Sequence, residues 1–272
     1  MKKSGPCVPL RIPQAVLSGA AMIALLAASP RLRAADAKGS SATETNKPKS
    51  KWESVATAGV TLTRGNSKTF LGTLSFNTKR ASKSDEMLFG ANGGYGESTT
   101  TTPAGKVDNV TDSYLKGFGQ WNHLFSTQAY GGFRASGEHD DIAHLTYRAT
   151  FSPLFGYYFI KRPNEFLSAE LGPSYIKEKF FGEPEHNYPG LRVGERGEHK
   201  FVSGAKVWES VELLPKVEDF ANYLVNAEIG VSAPINKALS LSLVVQDTFK
   251  SRPATGRLKN DVKLIAGLAY NF

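Results

Sequence analysis

The sequence predicts an all-β protein, a transmembrane antiparallel up-and-down β-barrel of about 12 strands. Three observations carry this reading. In the terminal stretch Asp261–Phe272, one alternate set is Val262, Leu264, Ala266, Leu268, Tyr270 and Phe272, wholly apolar and ending in two aromatics. The other set, Asp261, Lys263, Ile265, Gly267, Ala269 and Asn271, is small or polar apart from Ile265. A period of two means a strand with one apolar face. The same alternation recurs at intervals of roughly 20 residues from Trp52 onward. Finally, the sequence stops on Phe272 with no polar tail, whereas a soluble sandwich turns its apolar face inward and usually frays at its end. A barrel in an outer membrane is built the other way round, lipid outside and polar groups inside.

The elements follow in order. Lys2, Lys3 and Arg11 precede the apolar run Ala15–Ala28, which is too short for a spanning helix of ~20 residues. Residues 1–34 therefore read as a secretory signal peptide, with cleavage between 28 and 37; Ala35-Asp36-Ala37 is one small-x-small choice. A retained anchor is the alternative. Residues 35–51, rich in Ser, Thr, Lys and Ala, read as a flexible linker. The barrel is residues 52–272, with strands at about 52–64, 66–79, 85–97, 109–122, 127–137, 142–160, 165–180, 187–199, 205–214, 221–233, 238–251 and 259–272.

Strand six alternates best: Tyr147, Phe151, Phe155 and Phe159 fall on one face, Arg148, Thr150, Ser152 and Tyr158 on the other. Pro153 cannot donate to a ladder, so it suggests a bulge there. In strands four and nine, Lys116 and Glu209 break the apolar face, and strand eight is required mainly by closure. Short turns at 80–84, 123–126, 161–164, 200–204 and 234–237 are expected at the periplasmic end. Longer links at 98–108, 138–141, 181–186, 215–220 and 252–258 are expected outside, with Arg64-Gly65-Asn66 a tight exception. Aromatics gather near the expected interfaces. Glycines crowd strands three and four (Gly90, Gly93, Gly94, Gly96, Gly117, Gly119); the simplest use is curvature, the other is room for bulky lumen residues such as Trp208.

The formal net charge is +8, but residues 1–34 carry +5 and residues 35–51 carry +2, which leaves +1 for the barrel. The basic balance thus belongs to the leader and linker, and it excludes nucleic acid as an expected partner, since that needs a basic patch on the folded domain. Cys7 is the one cysteine and lies in the leader, so no disulfide or cysteine-ligated metal is expected in the mature chain.

From about Trp52 to Phe272 the sequence resembles the salt-induced outer membrane protein family, a domain of unknown function found in Gram-negative bacteria. The stretches that carry the resemblance are 63–67 (TRGNS), 171–175 (LGPSY), 195–200 (ERGEHK), 208–228 and 260–272. The resemblance implies an outer-membrane barrel, with lipid, lipopolysaccharide and the barrel-insertion machinery as partners. It implies no catalytic motif. Leu268, Tyr270 and Phe272 would form the insertion signal.

Chemistry is sought in two places. Glu138-His139-Asp140-Asp141, followed by His144, is the richest polar cluster and falls on an outer loop. A carboxylate beside an imidazole orients a water for attack, but an ordinary solvated loop explains the cluster more simply. A metal held by His139, Asp140 and His144 needs side chains that alternate around a turn to converge. His144 and Ser174 fall on inward faces, which disfavours a lipase-like pair. Neither an enzyme nor a metal or other cofactor is expected. The second place is the lumen, where Arg134, Arg148, Glu170, Lys206, Glu212, Glu228 and Lys263 all point inward. Buried charges must pair or stay wet. The expectation is a structural or envelope-stress protein with a charged, largely filled lumen; the alternative is a narrow small-solute channel, and a rim hydrolase comes third.

Overall fold

The computed structural model describes residues 52–63, 67–102, 105–253 and 258–272. The expected signal peptide (1–34) and linker (35–51) lie outside the described residues. Twelve strands form: β1 Trp52–Thr63, β2 Ser67–Ala81, β3 Asp85–Thr102, β4 Gly105–Leu124, β5 Ala129–Asp140 and β6 Leu145–Arg162. They continue as β7 Glu165–Phe180, β8 Glu185–Lys200, β9 Lys206–Lys216, β10 Asp219–Pro234, β11 Leu239–Lys250 and β12 Asn260–Asn271. Each pairs antiparallel with its sequence neighbours, and β1 pairs with β12, so the sheet is a closed barrel. The seam runs from Val55↔Asn271 to Gly59↔Gly267, and the Phe272 N–H donates to the Ser54 carbonyl at 2.9 Å. Both ends of the barrel domain therefore lie on one side, with the 82–84, 125–128, 163–164, 201–205 and 235–238 turns.

The alternation is inverted relative to a soluble protein. Along β6, Thr150, Ser152, Leu154 and Tyr158 are buried, while Phe151, Phe155, Tyr157 and Phe159 are exposed. On β12, Leu268, Tyr270 and Phe272 are exposed to 50, 46 and 66%. Contacts between strands that are not neighbours decide which face is inside. Gln120 of β4 bonds Glu170 of β7, and Lys263 of β12 bonds Asp112 of β4. Such contacts are possible only across the interior, so the polar set faces inward and the apolar set faces outward. Glu195 and Glu209 interrupt the outer face: their cross-strand partners Ala169, Val211, Gly197 and Ile229 share it.

Several expectations need correction. The long links at 98–108 and 215–220 do not exist as loops. Threonine-rich β3 and β4 run on and pair as far as Thr102↔Gly105, and β9 and β10 are joined by two residues. Link length therefore does not distinguish the two ends, with 251–259 the exception. Lys116 faces inward, because its strand partner Glu138 meets it there at 3.6 Å. Strand eight forms, paired with β7 from Glu185 to His199 and with β9 at Gly190 and from Val193 to Lys200. Pro153 marks no bulge. Register is unchanged from Phe151↔Tyr175 to Phe155↔Leu171, which places Pro153 opposite Pro173. Neither proline can donate, so the ladder is interrupted without being shifted, and Ser152 Oγ meets Ser174 Oγ at 2.6 Å beside the gap. The irregularities of β6 against β7 lie on either side, between Leu145 and Tyr147 and between Tyr158 and Ile160.

Inward glycines serve as sockets for large lumen side chains. A Cβ on Gly156 would lie 2.2 Å from the Tyr130 ring, and one on Gly230 would lie 2.1 Å from the Trp208 ring. Curvature alone does not explain these two positions. Tyr130, 1% exposed, packs with Leu154 and Tyr158 into a small apolar cluster inside the wall. Gly137 differs, since its side-chain position points outward with nothing within 4 Å. Gly156→Ala should therefore lower the unfolding free energy of the refolded barrel by about 1–3 kcal/mol through overpacking. Gly137→Ala should leave it near wild type or slightly raise it, because Gly is a poor strand former. Urea unfolding followed by heat-modifiable gel mobility measures both.

Candidate functional site

The interior charges are held in tiers. In the middle tier, Gln120 Nε2 donates to Glu170 Oε1 at 2.6 Å, and Arg192 Nη1 donates to Glu170 Oε2 at 2.7 Å. Arg192 Nε donates to Glu212 Oε1 at 2.6 Å. Arg134 Nε faces that same oxygen at 3.6 Å, an ion pair rather than a hydrogen bond, and Arg134 Nη1 donates to Gln120 Oε1 at 3.2 Å. Gln120, Glu170, Arg192, Glu212 and Arg134 thus form a closed circuit on β4, β7, β8, β9 and β5. Its two guanidinium groups match its two carboxylates. Tyr130 also donates to Glu170 at 2.9 Å, and Arg134 lies 3.9 Å above the Phe118 ring.

A second tier lies toward the end opposite the termini. Arg148 pairs with Glu138 and, at 2.6 Å, with Glu178. Glu138 also meets Lys116, and Glu178 accepts from Tyr188 at 3.0 Å. Nearer the termini, Glu86 of β3 accepts from Tyr158 at 2.5 Å and from Lys161 at 3.0 Å, both on β6. Lys263 of β12 pairs with Asp112 of β4 at 2.9 Å over the Tyr114 ring. Glu228 accepts from Trp208 at 2.7 Å and Gln246 at 2.8 Å. Lys206 pairs with Glu198 at 3.4 Å.

All seven inward charges singled out from sequence thus contact a polar or charged partner, but they do not converge on one centre. Arg134, Glu170 and Glu212 share the middle circuit; Arg148, Lys206, Glu228 and Lys263 each belong elsewhere. Sequence reasoning missed Arg192, Gln120, Glu138, Glu178 and Asp112. Glu178 is in phase with Glu170 along β7, so parity alone could have found it. Glu138 was assigned to a link that is strand, Asp112 lies in strand four, which alternates poorly, and Arg192 sits on the strand that alternates least.

The polar cluster at 138–144 disperses. Glu138 and Asp140 turn inward, and Asp140 Oδ1 accepts from the Ala143 N–H at 2.8 Å. His139 bonds the Thr146 carbonyl through Nδ1 and meets Asp141 at 3.1 Å through Nε2. His144, at φ 54°, stacks on Phe181. Among the described residues no group of three metal-ligating side chains is assembled.

Above the second tier the lumen opens into a cavity of about 290 Å³, lined from β6, β7, β8, β9, β10 and β11. Breaking the middle circuit leaves an unpaired buried charge. Arg192→Met should accordingly cost about 3–5 kcal/mol of unfolding free energy, since both Arg192 and Glu170 have side chains only 4% exposed. Lys177→Met, which removes an exposed rim pair with Glu185, should leave the midpoint of the same denaturant titration near that of the wild type.

A family model described as a protein of unknown function, DUF481, matches residues 56–272. No curated protein matches the chain. Among solved structures, the chain is similar to the COG4313 outer membrane channel from Pseudomonas putida F1, at 9% identity and a TM-score of 0.46, covering 85% of this chain and 100% of that one. It is similar to the NanC porin at 8% identity and a TM-score of 0.44, covering 80% and 96%. It is similar to the KdgM porin at 10% identity and a TM-score of 0.41, covering 80% and 99%.

Proposed function

The chain belongs to the DUF481 family of unknown function, and from that premise we propose that it is a Gram-negative outer-membrane barrel whose lumen is closed by its own charged side chains, serving a structural or envelope-stress role. The observation that carries this reading is the circuit Gln120–Glu170–Arg192–Glu212–Arg134. It reaches from β5 to β9, four strands apart around the wall, so side chains occupy the space a solute would need. Its two guanidinium groups face its two carboxylates, so the ends of these side chains hold one another across the interior. Salt induction is not part of the family's description.

The outward apolar face supports lipid and lipopolysaccharide as neighbours. The exposed Leu268, Tyr270 and Phe272, with Tyr270 and Phe272 in an edge-on contact at 4.8 Å, support the last strand as the piece the insertion machinery engages. No catalytic step enters the reading, because His139 and Asp140 point to different surroundings.

Planar-bilayer recording tests the closed lumen. The purified wild type should insert and stay silent. Arg134→Ala combined with Glu212→Ala should produce discrete ion steps, because those two side chains close the circuit across the interior. Reproducible open steps from the wild type, blocked by large polymers, would establish the narrow channel instead.

A further inference from the structure

We propose that the mouth cavity is a binding site for a small organic anion, with Lys250 receiving its carboxylate or phosphate head. The cavity, about 290 Å³, lies at the end opposite the termini and is sized for a small molecule rather than a polymer segment. Its lining includes four cations, Arg148, Lys216, Lys250 and Arg252, against two carboxylates, Glu178 and Glu183.

The cations are not equivalent. Arg148 is held by Glu138 and Glu178, Lys216 by Glu218 at 3.2 Å, and Arg252 by Asp219 at 2.7 Å. Lys250 has no ion-pair or hydrogen-bond partner for its ammonium among the described residues. It is inward by phase: Gln246 and Thr248 on the same side of β11 bond Glu228 and Asn226. It is only half-buried, and Arg148 and Lys116 add positive potential there while Glu138 and Asp140 offset it. The other three cations of the lining each touch a carboxylate, whereas Lys250 lines the open volume without one in contact. Glu183 is on the exposed rim link, so it favours a single negative head directed inward over a diacid.

The rest of the lining selects the body of the ligand. Tyr188 offers a ring, and Ile176 and Leu214 offer aliphatic surface, while the Tyr223 ring stacks on Phe249 on the outer face. An aromatic or short aliphatic body with one anionic head matches both halves. Lipopolysaccharide phosphates carry the same head chemistry, but the cavity opens inside the barrel wall. We therefore assign the site to a soluble anion.

The test is calorimetric titration of the refolded full chain in lipopolysaccharide-free detergent, with benzoate as the probe and neutral benzamide as its control. Benzoate should bind saturably at about millimolar concentration or below, and benzamide at least about tenfold more weakly, the ratio expected of one charge-assisted hydrogen bond. Lys250→Met should weaken benzoate about tenfold, while Lys250→Arg and the remote Lys79→Met should retain it. Heat-modifiable mobility identifies folded variants, and Lys250→Gln replaces the Met variant if that one does not fold. Absence of saturable benzoate binding, equal binding of benzamide, or unchanged affinity in Lys250→Met would overturn the site. So would binding that appears only after lipopolysaccharide is added. Because conductance is measured separately, a silent barrel that binds nothing defeats this proposal alone.

Discussion

In hydrocarbon no water is available to satisfy a backbone amide, so a spanning sheet must close on itself. The seam between β1 and β12 meets that requirement here, from Val55↔Asn271 through Gly59↔Gly267. Once the sheet is closed, pleating leaves each residue two destinations, lipid or lumen. The apolar set at Phe151, Phe155 and Phe159 takes the first, and the polar set at Thr150, Ser152 and Arg148 takes the second. Every charge placed inside must then find a partner within the reach of its own side chain.

That reach explains the choice of residues. A wall of twelve strands encloses more space than the about eight-strand case that ordinary side chains fill. Arg, Glu, Gln and Tyr are long enough to meet from strands three or four apart around the wall, and their polar ends have defined geometry. Glycines such as Gly156 and Gly230 make room for Tyr130 and Trp208, so the interior alternates large against absent side chains. Buried ion pairs contribute little net stability compared with apolar packing, but losing one partner is costly. The network therefore fixes a particular closed arrangement more than it strengthens the fold. The mouth differs because Lys250 is not matched.

The barrel was legible because a period of two is written into single strands, as in β6, β7 and β12, without knowledge of their neighbours. The inward positions of Arg148 and Glu170 followed from that phase alone. Strand eight was hard to read because Pro189, Gly190, Gly194 and Gly197 supply few side chains to alternate. The ends of β3 and β4 were taken for loop because Thr, Ser and Asp lean toward turns in isolation, while pairing out to Thr102↔Gly105 overrides that tendency. Lys116 shares its phase with Tyr114 and Phe118, aromatics that here face the lumen, so the bulky apolar residues of this strand mark the wrong face. The circuit itself was illegible, since two of its links, Gln120 to Glu170 and Arg134 to Glu212, join strands that are not neighbours. Strand phase says a residue points inward; it does not say whom it meets.

A double-mutant cycle on Gln120 and Glu170 tests the central claim most directly, because β4 and β7 touch only across the interior. Unfolding free energies of Gln120→Met, Glu170→Met and the double variant give the coupling, with the Arg192 contact to Glu170 cancelling in the cycle. The structure predicts a coupling of about 1.5 kcal/mol or more, as for a hydrogen bond to a buried charge. A coupling near zero, with all three variants folded, would mean that the two side chains do not meet and that the lumen is not closed in this way.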